Sequence, residues 1–215
     1  MLAIISCKDT RFFISLLKIF AMKSHLVEIK KAVKDSVDTK QLIFIDKQLL
    51  GRVEEAIGLC VDSLNNGGKI WFAGNGGSAA DAQHLAAELS GRFYLDRKSI
   101  PAEALHVNTS FMTAVANDYG YDQVYARLLE GCARKGDVLV AISTSGNSAN
   151  ILEAAKTARS MGMKVIGLTN ANGGQLAEHC DVLLNVPSTD TPRVQECHIM
   201  LGHILCENIE KELFG

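Results

Sequence analysis

The sequence predicts an α/β protein built on a doubly wound parallel sheet of about five strands, flavodoxin-like or Rossmann-like, with a helical arm at its N-terminal end. Three observations lead to this prediction. Short runs of Val, Ile and Leu without polar alternation are typical of strands that are buried on both faces. These runs alternate with stretches of helical periodicity, which would supply the crossover connections. A long helical segment precedes the first strand.

The helical arm is predicted over residues 23–66, and the turn Asn-Asn-Gly-Gly at 65–68 ends it. Apolar residues recur there at helical spacing: Leu49, Val53, Ile57, Cys60 and Leu64. Such an arm is unusual before a simple nucleotide-binding unit, and it could pack on a partner subunit.

The sheet and its crossover helices occupy the rest of the chain. Strands are predicted at 69–73, 103–106, 138–143, 164–169 and 182–186. Helices are predicted at 79–90, 110–117, 123–132, 148–160 and 193–212, with a short one at 174–178. No linker, repeat or domain boundary interrupts residues 22–215, so we expect one domain. Residues 1–21 are expected to be an N-terminal extension that adds nothing to the chemistry, with Met22 as an alternative start.

The composition excludes several classes of function. The formal net charge of the 215 residues is −2, which provides no electrostatic footprint for nucleic acid and no basic patch for a membrane surface. None of the six cysteines forms a CxxC pair. Cys60, Cys132 and Cys206 lie in apolar runs, so we expect buried, reduced thiols and therefore a cytoplasmic protein.

A hydroxyl-rich turn at residues 143–148 is the strongest functional signal. It follows an apolar strand and opens a helix, and four of its side chains carry hydroxyls: Ser143, Thr144, Ser145 and Ser148. Unpartnered N–H groups and the helix dipole make such a position a binding site for anions. Helix capping alone would need only one such residue. The turn therefore predicts a site for a phosphate monoester that is held by neutral donors.

A second small-residue turn, Gly-Asn-Gly-Gly-Ser at 74–78, follows the first strand. Glycine allows backbone N–H groups to approach a ligand closely. The turn also fits the degenerate dinucleotide fingerprint, but the acidic residue that this motif requires at the end of the second strand is missing. Because loops at the carboxyl ends of parallel strands converge on one crevice, the two turns should face one ligand. A phosphorylated polyol suits them better than a dinucleotide.

Two helices carry side chains that could hold a metal ion. His84 and Glu88 are four residues apart and share one helical face, although a surface polar pair explains that spacing more often. On the last helix, Glu196 and His203 share a face, whereas Gln195 lies roughly 80° away from His203. Helical geometry alone therefore selects Glu196 with His203. His198 should point elsewhere, as a packed or solvated histidine.

Taken together, five blocks of sequence resemble the sugar-isomerase (SIS) domain family, from about residue 49 to the end. They are GNGGSAADAQHLAAELSGR (74–92), ANDYGYDQVYAR (116–127), GDVLVAISTSGNSANIL (136–152), GMKVIGLTNANGGQLA (162–177) and RVQECHIMLGHILCENIEKEL (193–213). Within the family, the chain is similar to enzymes that convert sedoheptulose 7-phosphate to D-glycero-D-manno-heptose 7-phosphate. The resemblance implies the first step of activated-heptose synthesis for lipopolysaccharide or S-layer glycans. It also implies a homotetramer with active sites at subunit interfaces.

The resemblance also implies roles for particular residues. One zinc ion per subunit would be held by His84, Glu88, Gln195 and His203, which replaces the geometric choice of Glu196. The substrate-binding residues implied are Asn75, Gly76, Gly77, Glu88, Asn117, Asp118, Ser143, Thr144, Ser145, Ser148 and Gln195.

The reaction implied is an aldose–ketose isomerisation through a cis-enediol. Glu88 is the candidate base, and His203 is the candidate group that moves protons between the two oxygens. Two alternatives remain open at this point. One is a non-catalytic SIS regulator that senses a sugar phosphate and binds a protein such as a replication initiator. The other is a dinucleotide-dependent oxidoreductase.

Overall fold

The computed structural model describes residues 7–215, with side chains from His25 onward. The chain divides into two compact units, Met1–Asp38 and Thr39–Gly215. The predicted extension, residues 1–21, lies outside the residues whose side chains are described. Its role and the single domain over 22–215 stay predictions.

The sheet has five parallel strands in the order β2-β1-β3-β4-β5. The strands are β1 (Ile70–Gly74), β2 (Ala102–Ala104), β3 (Val138–Ile142), β4 (Lys164–Thr169) and β5 (Val182–Asn185). This is the flavodoxin-like order, so the predicted fold class is confirmed. Every residue of β1 and β3 is buried, as expected for strands covered on both faces.

The described residues form seven α-helices: α1 (Cys7–Ile45), α2 (Lys47–Asn65), α3 (Gly77–Ser90), α4 (Thr109–Tyr119), α5 (Val124–Cys132), α6 (Ala149–Ser160) and α7 (Thr191–Phe214). Short 3-10 helices lie at Tyr121–Gln123 and Gln175–His179. The predicted helical arm over 23–66 contains a break at Asp46, which the prediction did not locate. That residue begins α2, because its carboxylate accepts hydrogen bonds from the N–H groups of Gln48 and Leu49.

The core has two layers, one on each face of the sheet. Ile70 and Phe72 of β1 face α2, α3 and α7, whereas Trp71 and Ala73 face α4, α5 and α6. All the helices that carry predicted metal ligands therefore lie on one face. The helix that follows the hydroxyl-rich turn lies on the other.

Chain order reverses between β1 and β3, which are neighbours in the sheet although β2 lies between them in sequence. Ligands bind to such sheets at this switch point, beyond the carboxyl ends of the strands. The two turns singled out in the sequence, at 74–78 and 143–148, directly follow these two strands. The topology therefore brings both to one place.

Two further expectations concern membrane association and the cysteines. Within the described part of the chain, no helix combines the length and apolar character that a bilayer crossing requires. The described cysteines are all free, and Cys60, Cys197 and Cys206 are buried. The expectation of a buried Cys132 was wrong: it is the last residue of α5, and it is exposed.

Candidate active site

The site begins with the close approach of α3 and α7. Contacts that run from Gly77 with Gln195 to Leu85 with Gly202 show that the two helices run in the same direction. At Gly202 there is no room for a side chain, since a Cβ atom would lie 2.4 Å from Leu85 Cδ1. The missing side chain lets the two backbones approach closely, which places His203 of α7 beside His84 of α3.

Three side chains meet where the helices touch. His84 Nε2 lies 2.9 Å from His203 Nε2 and 3.2 Å from Glu88 Oε1. All three residues offer a ligand atom within 4.8 Å of one another. We call His84, Glu88 and His203 the ligand cluster. No sequence pattern predicted a contact between the two helices, so this convergence supports the metal-binding interpretation of His84 and Glu88 over a surface polar pair.

The ligand cluster fits a divalent metal ion. Two imidazoles and a carboxylate are a frequent donor set for zinc, and bonds of about 2.0–2.1 Å to a tetrahedral ion would separate two ligand atoms by about 3.3 Å. The observed separations, 2.9 and 3.2 Å, are close to that value. The side chain of His84 is half exposed, so the cluster is open to solvent and to a substrate.

Gln195 lies nearer the start of α3. A Cβ atom on Gly77 would be 2.1 Å from Gln195 Nε2. Asp81 and Gln195 border a cavity of about 320 Å³. Burial raises the pKa of the Asp81 carboxyl, against the opposing effects of His84 and Gln195. The role of Gln195 as a metal and substrate ligand stays a prediction.

The purely geometric choice on α7, Glu196, is engaged elsewhere. Its carboxylate lies 2.6 Å from Arg193 Nη2 and 3.9 Å from Lys40 Nζ. His198 is fully buried, and its Nε2–H donates to the carbonyl of Thr169. The prediction of a packed His198 is therefore confirmed.

The glycine-rich turn at 74–78 is fixed by tight backbone contacts and by a hydrogen bond from a buried tyrosine. Gly74 allows no side chain, because a Cβ atom would lie 2.2 Å from the carbonyl oxygen of Ser78, and Gly76 has a positive φ of 55°. The buried Tyr125 hydroxyl donates to the carbonyl of Gly74 at 2.6 Å. Gly76 begins α3 without any side-chain cap, and the N–H groups of Ser78 and Ala79 donate to the carbonyls of Asn75 and Gly76.

Asn75 ties this turn to the start of α6. The side chains of Asn75 and Asn150 exchange two hydrogen bonds, each 2.8 Å long, and the hydroxyl of Tyr121 donates to Asn75 Oδ1. The sequence analysis missed Asn150, Tyr121 and Tyr125. The spacing of Tyr121 and Tyr125, four residues apart beside a polar turn, is the one signal that indicated a shared face.

In the hydroxyl-rich turn, the hydroxyl of Ser148 is not used to cap the helix that follows. Ser148 begins α6, yet its side chain makes no capping hydrogen bond and instead lies 3.2 Å from the hydroxyl of Ser143. Gly174 packs against the backbone of Ser145 and Gly146, and the N–H group of Gln175 donates to Asn147 Oδ1. Helix capping therefore does not account for the serine at position 148. This observation favours the anion-binding interpretation of the turn.

Asn117 and Asp118 end α4, where the carboxamide of Asn117 donates to the carboxylate of Asp118 at 2.8 Å. Both residues are exposed. Their predicted contact with the substrate stays a prediction, as do the contacts of Gly77, Thr144 and Ser145.

The fold and the site together define a class of protein. The model of the SIS domain matches residues 38–170, more than half of the chain, so the chain belongs to the SIS domain family. It is similar to the phosphoheptose isomerase of Sulfurimonas denitrificans, with 51% identity over 187 residues that cover 87% of this chain and 96% of the relative. The phosphoheptose isomerase of Rhodospirillum rubrum is 56% identical over 161 residues, which cover 75% and 86% of the two chains.

Solved structures agree. A phosphoheptose isomerase from Francisella tularensis superposes with a TM-score of 0.84 at 35% identity, over 87% of this chain and 98% of that one. The phosphoheptose isomerase from Neisseria gonorrhoeae gives a TM-score of 0.81 at 44% identity, over 86% and 98%. The predicted family is therefore confirmed.

Proposed function

We propose that this chain is an aldose–ketose isomerase that converts sedoheptulose 7-phosphate to D-glycero-D-manno-heptose 7-phosphate, the first step of activated-heptose synthesis. One observation carries the proposal: the ligand cluster forms between α3 and α7, in a chain that is 51% identical to a phosphoheptose isomerase across almost its whole length. An acid–base pair and a phosphate-binding turn are what this reaction needs.

The chemistry begins at carbon 1 of the ketose. Glu88 takes a proton from this carbon, and the carbonyl at carbon 2 gains a proton, which gives the cis-enediol. His203 moves protons between oxygen 1 and oxygen 2. A proton then returns to carbon 2, the carbonyl is now at carbon 1, and the atoms balance with no external oxidant. Each positioned acid or base of this kind contributes roughly 10²–10⁴-fold.

The hydroxyl-rich turn would anchor the phosphate at the far end of the substrate. Ser143, Ser145 and Ser148 offer neutral donors, and the uncapped start of α6 adds backbone N–H groups. Binding energy from this remote group orients the reacting carbons near Glu88.

We further propose that zinc is the metal, with Gln195 as the fourth ligand. Bound there, zinc would polarise the substrate carbonyl and stabilise negative charge on the enediol oxygens. The two proposed roles of Glu88 compete, because a carboxylate that is bound to a metal ion has little affinity for a proton. Measuring turnover with and without metal separates them.

Turnover in D₂O, followed by proton NMR, tests the function. We expect the aldose to appear with deuterium at carbon 2, because the proton held by Glu88 exchanges with solvent. Glu88→Gln should abolish turnover while the substrate still binds. The control Glu153→Gln makes the same change at an exposed carboxylate on α6 and should retain turnover. No aldose from the unaltered protein would refute the proposal. Turnover near the unaltered rate by Glu88→Gln would refute only the assignment of the base.

Neither alternative gains support. A regulator without catalysis would not need the ligand cluster, and the curated relatives named above are isomerases. The acidic residue of a dinucleotide site is missing after β2, where Leu105 and His106 follow.

Assembly and location complete the proposal. We propose a cytoplasmic homotetramer with active sites at subunit interfaces, which binds sugar phosphates and neither nucleic acid nor membrane. Exposed apolar side chains along α1 support an association surface: Leu26, Val27, Ile29, Val33 and Val37. Light scattering coupled to size exclusion should give the mass of four chains.

A further inference from the structure

A buried carboxylate lies on α7, seven residues after His203 and therefore on nearly the same helical face. Glu210 is 1% exposed, and it collects hydrogen bonds from three consecutive backbone N–H groups. Oε1 accepts from Phe93 at 3.1 Å, and Oε2 accepts from Tyr94 at 2.8 Å and from Leu95 at 2.9 Å. These three residues, 93–95, form a loop after α3. Tyr94 and Leu95 are exposed, so Glu210 rather than apolar burial holds this loop.

Arg97 connects the same carboxylate to the end of α3. Its Nε–H donates to Glu210 Oε1 at 2.8 Å, and both side chains are almost fully buried. The guanidinium also donates to the carbonyls of Leu89 at 2.7 Å and Glu88 at 3.0 Å. These carbonyls lie in the last turn of α3, where no N–H group of the helix can reach them. Arg97 therefore fixes this turn, which carries Glu88.

The loop presents one ring to the ligand cluster. Phe93 stacks on the imidazole of His203, with ring centroids 5.7 Å apart and planes 19° from parallel. The ring is half-buried and packs against the core. Through Phe93 the loop sets the orientation of His203, and through Arg97 it sets the position of Glu88.

We propose that Glu210 and Arg97 form a positioning clamp that holds Phe93 against His203 and the end of α3 against α7, and so fixes the geometry of the ligand cluster. The clamp touches neither substrate nor metal. It acts through Phe93 and the backbone of Glu88, and groups that orient metal ligands in this way typically control metal affinity by about 10–100-fold.

The clamp stays charged at neutral pH. Burial alone would raise the pKa of Glu210, but the hydrogen bonds from residues 93–95 and from Arg97 hold its pKa below the usual value. Its hydrogen bonds are therefore charge-assisted, and a neutral carboxamide of the same shape cannot replace them, because its NH₂ group would face backbone donors.

Asp137 provides a matched control. This carboxylate is 2% exposed and also collects three N–H groups, from Lys69, Trp71 and Arg134. It lies at the amino end of β3, at the opposite edge of the sheet from the switch point. Asp137→Asn should therefore match the structural damage of Glu210→Gln without affecting the ligand cluster.

The experiment measures Co²⁺ binding to metal-free full-length protein by its visible absorption, in competition with a chelator. Melting temperature, kcat and KM are measured alongside. We expect Glu210→Gln and Phe93→Leu to lose about 10–100-fold in Co²⁺ affinity and in kcat, with KM changed by less than about twofold. Phe93→Tyr, which keeps the ring, should retain Co²⁺ binding, and Asp137→Asn should lower only the melting temperature.

Unchanged Co²⁺ affinity in Phe93→Leu overturns the proposal, and so does an equal loss in Asp137→Asn. If Glu210→Gln does not fold, Phe93→Leu alone decides, since it leaves the clamp intact. The kinetic measurement rests on the proposed function, whereas Co²⁺ binding needs no substrate. An inactive unaltered protein that binds Co²⁺ would therefore reject the proposed function while the clamp is still tested.

Discussion

Gly202→Ala is the substitution that most directly perturbs the approach of α3 to α7. An added Cβ atom would lie 2.4 Å from Leu85 Cδ1, 2.7 Å from Cδ2 and 3.1 Å from Cγ. Ordinary contacts between carbon atoms are about 3.5–4.0 Å, so the overlap is about 1 Å. Both terminal methyl groups are too close and Leu85 is fully buried, so the helices must separate.

The effect on stability should be small and the effect on activity large. Overpacking costs about 1–3 kcal/mol of unfolding free energy, and replacing a helical glycine by alanine returns about 1 kcal/mol. The net loss of stability is therefore about 0–2 kcal/mol. A displacement of about 1 Å at a catalytic group costs roughly 10²-fold in rate, so we expect kcat/KM to fall by about that factor.

Steady-state kinetics with sedoheptulose 7-phosphate and urea unfolding measure the two effects. Adding Leu85→Val, which shortens this side chain by one carbon and leaves no δ-methyl group, should restore most of the activity of Gly202→Ala. Gly58→Ala is the control, because its Cβ atom would have nothing within 4 Å, and it should raise stability by up to about 1 kcal/mol without a change in activity. Unaltered kcat/KM in Gly202→Ala would refute the argument that this contact sets the site.

Two further predictions concern pH and the phosphate. Burial lowers the pKa of His198 to about 4 from an ordinary 6.5, so the unfolded chain binds a proton that the folded chain excludes as pH falls through this window. Urea unfolding should show about 3 kcal/mol of stability lost from pH 6.5 to 4, and His198→Gln should remove that part of the slope; an equal slope in both proteins would contradict the assignment. Ser145→Ala should raise KM by about 10–100-fold, the strength of a hydrogen bond to a charged group, with little change in kcat. Equal losses in kcat and kcat/KM would instead mean that the turn acts mainly in the transition state.

The sheet could be predicted from the sequence because buried parallel strands appear as continuous apolar runs. The apolar runs at 138–142 and 164–169 match β3 and β4, since both faces of these strands are covered. The break at Asp46 was missed because apolar periodicity continues across it. Only the side chain of Asp46, which caps α2, marks the boundary, and an isolated aspartate within a helical pattern is a weak signal.

The site was predictable in its parts and not in its assembly. Spacing on α3 paired His84 with Glu88, but no periodicity could show that α7 approaches closely enough at Gly202 to add His203. Spacing alone also favoured Glu196, whose carboxylate instead pairs with Arg193. The clamp left no local pattern either, because Glu210 bonds to backbone groups more than 100 residues away in the chain.

The most direct test of the central claim is zinc uptake by the metal-free protein, measured by competition with a chromophoric chelator. The ligand cluster predicts one zinc ion per chain, a rise in melting temperature on binding, and loss of both effects in His203→Ala. Uptake by His203→Ala equal to that of the unaltered protein, or no uptake by either, would contradict the claim that α3 and α7 together build the site.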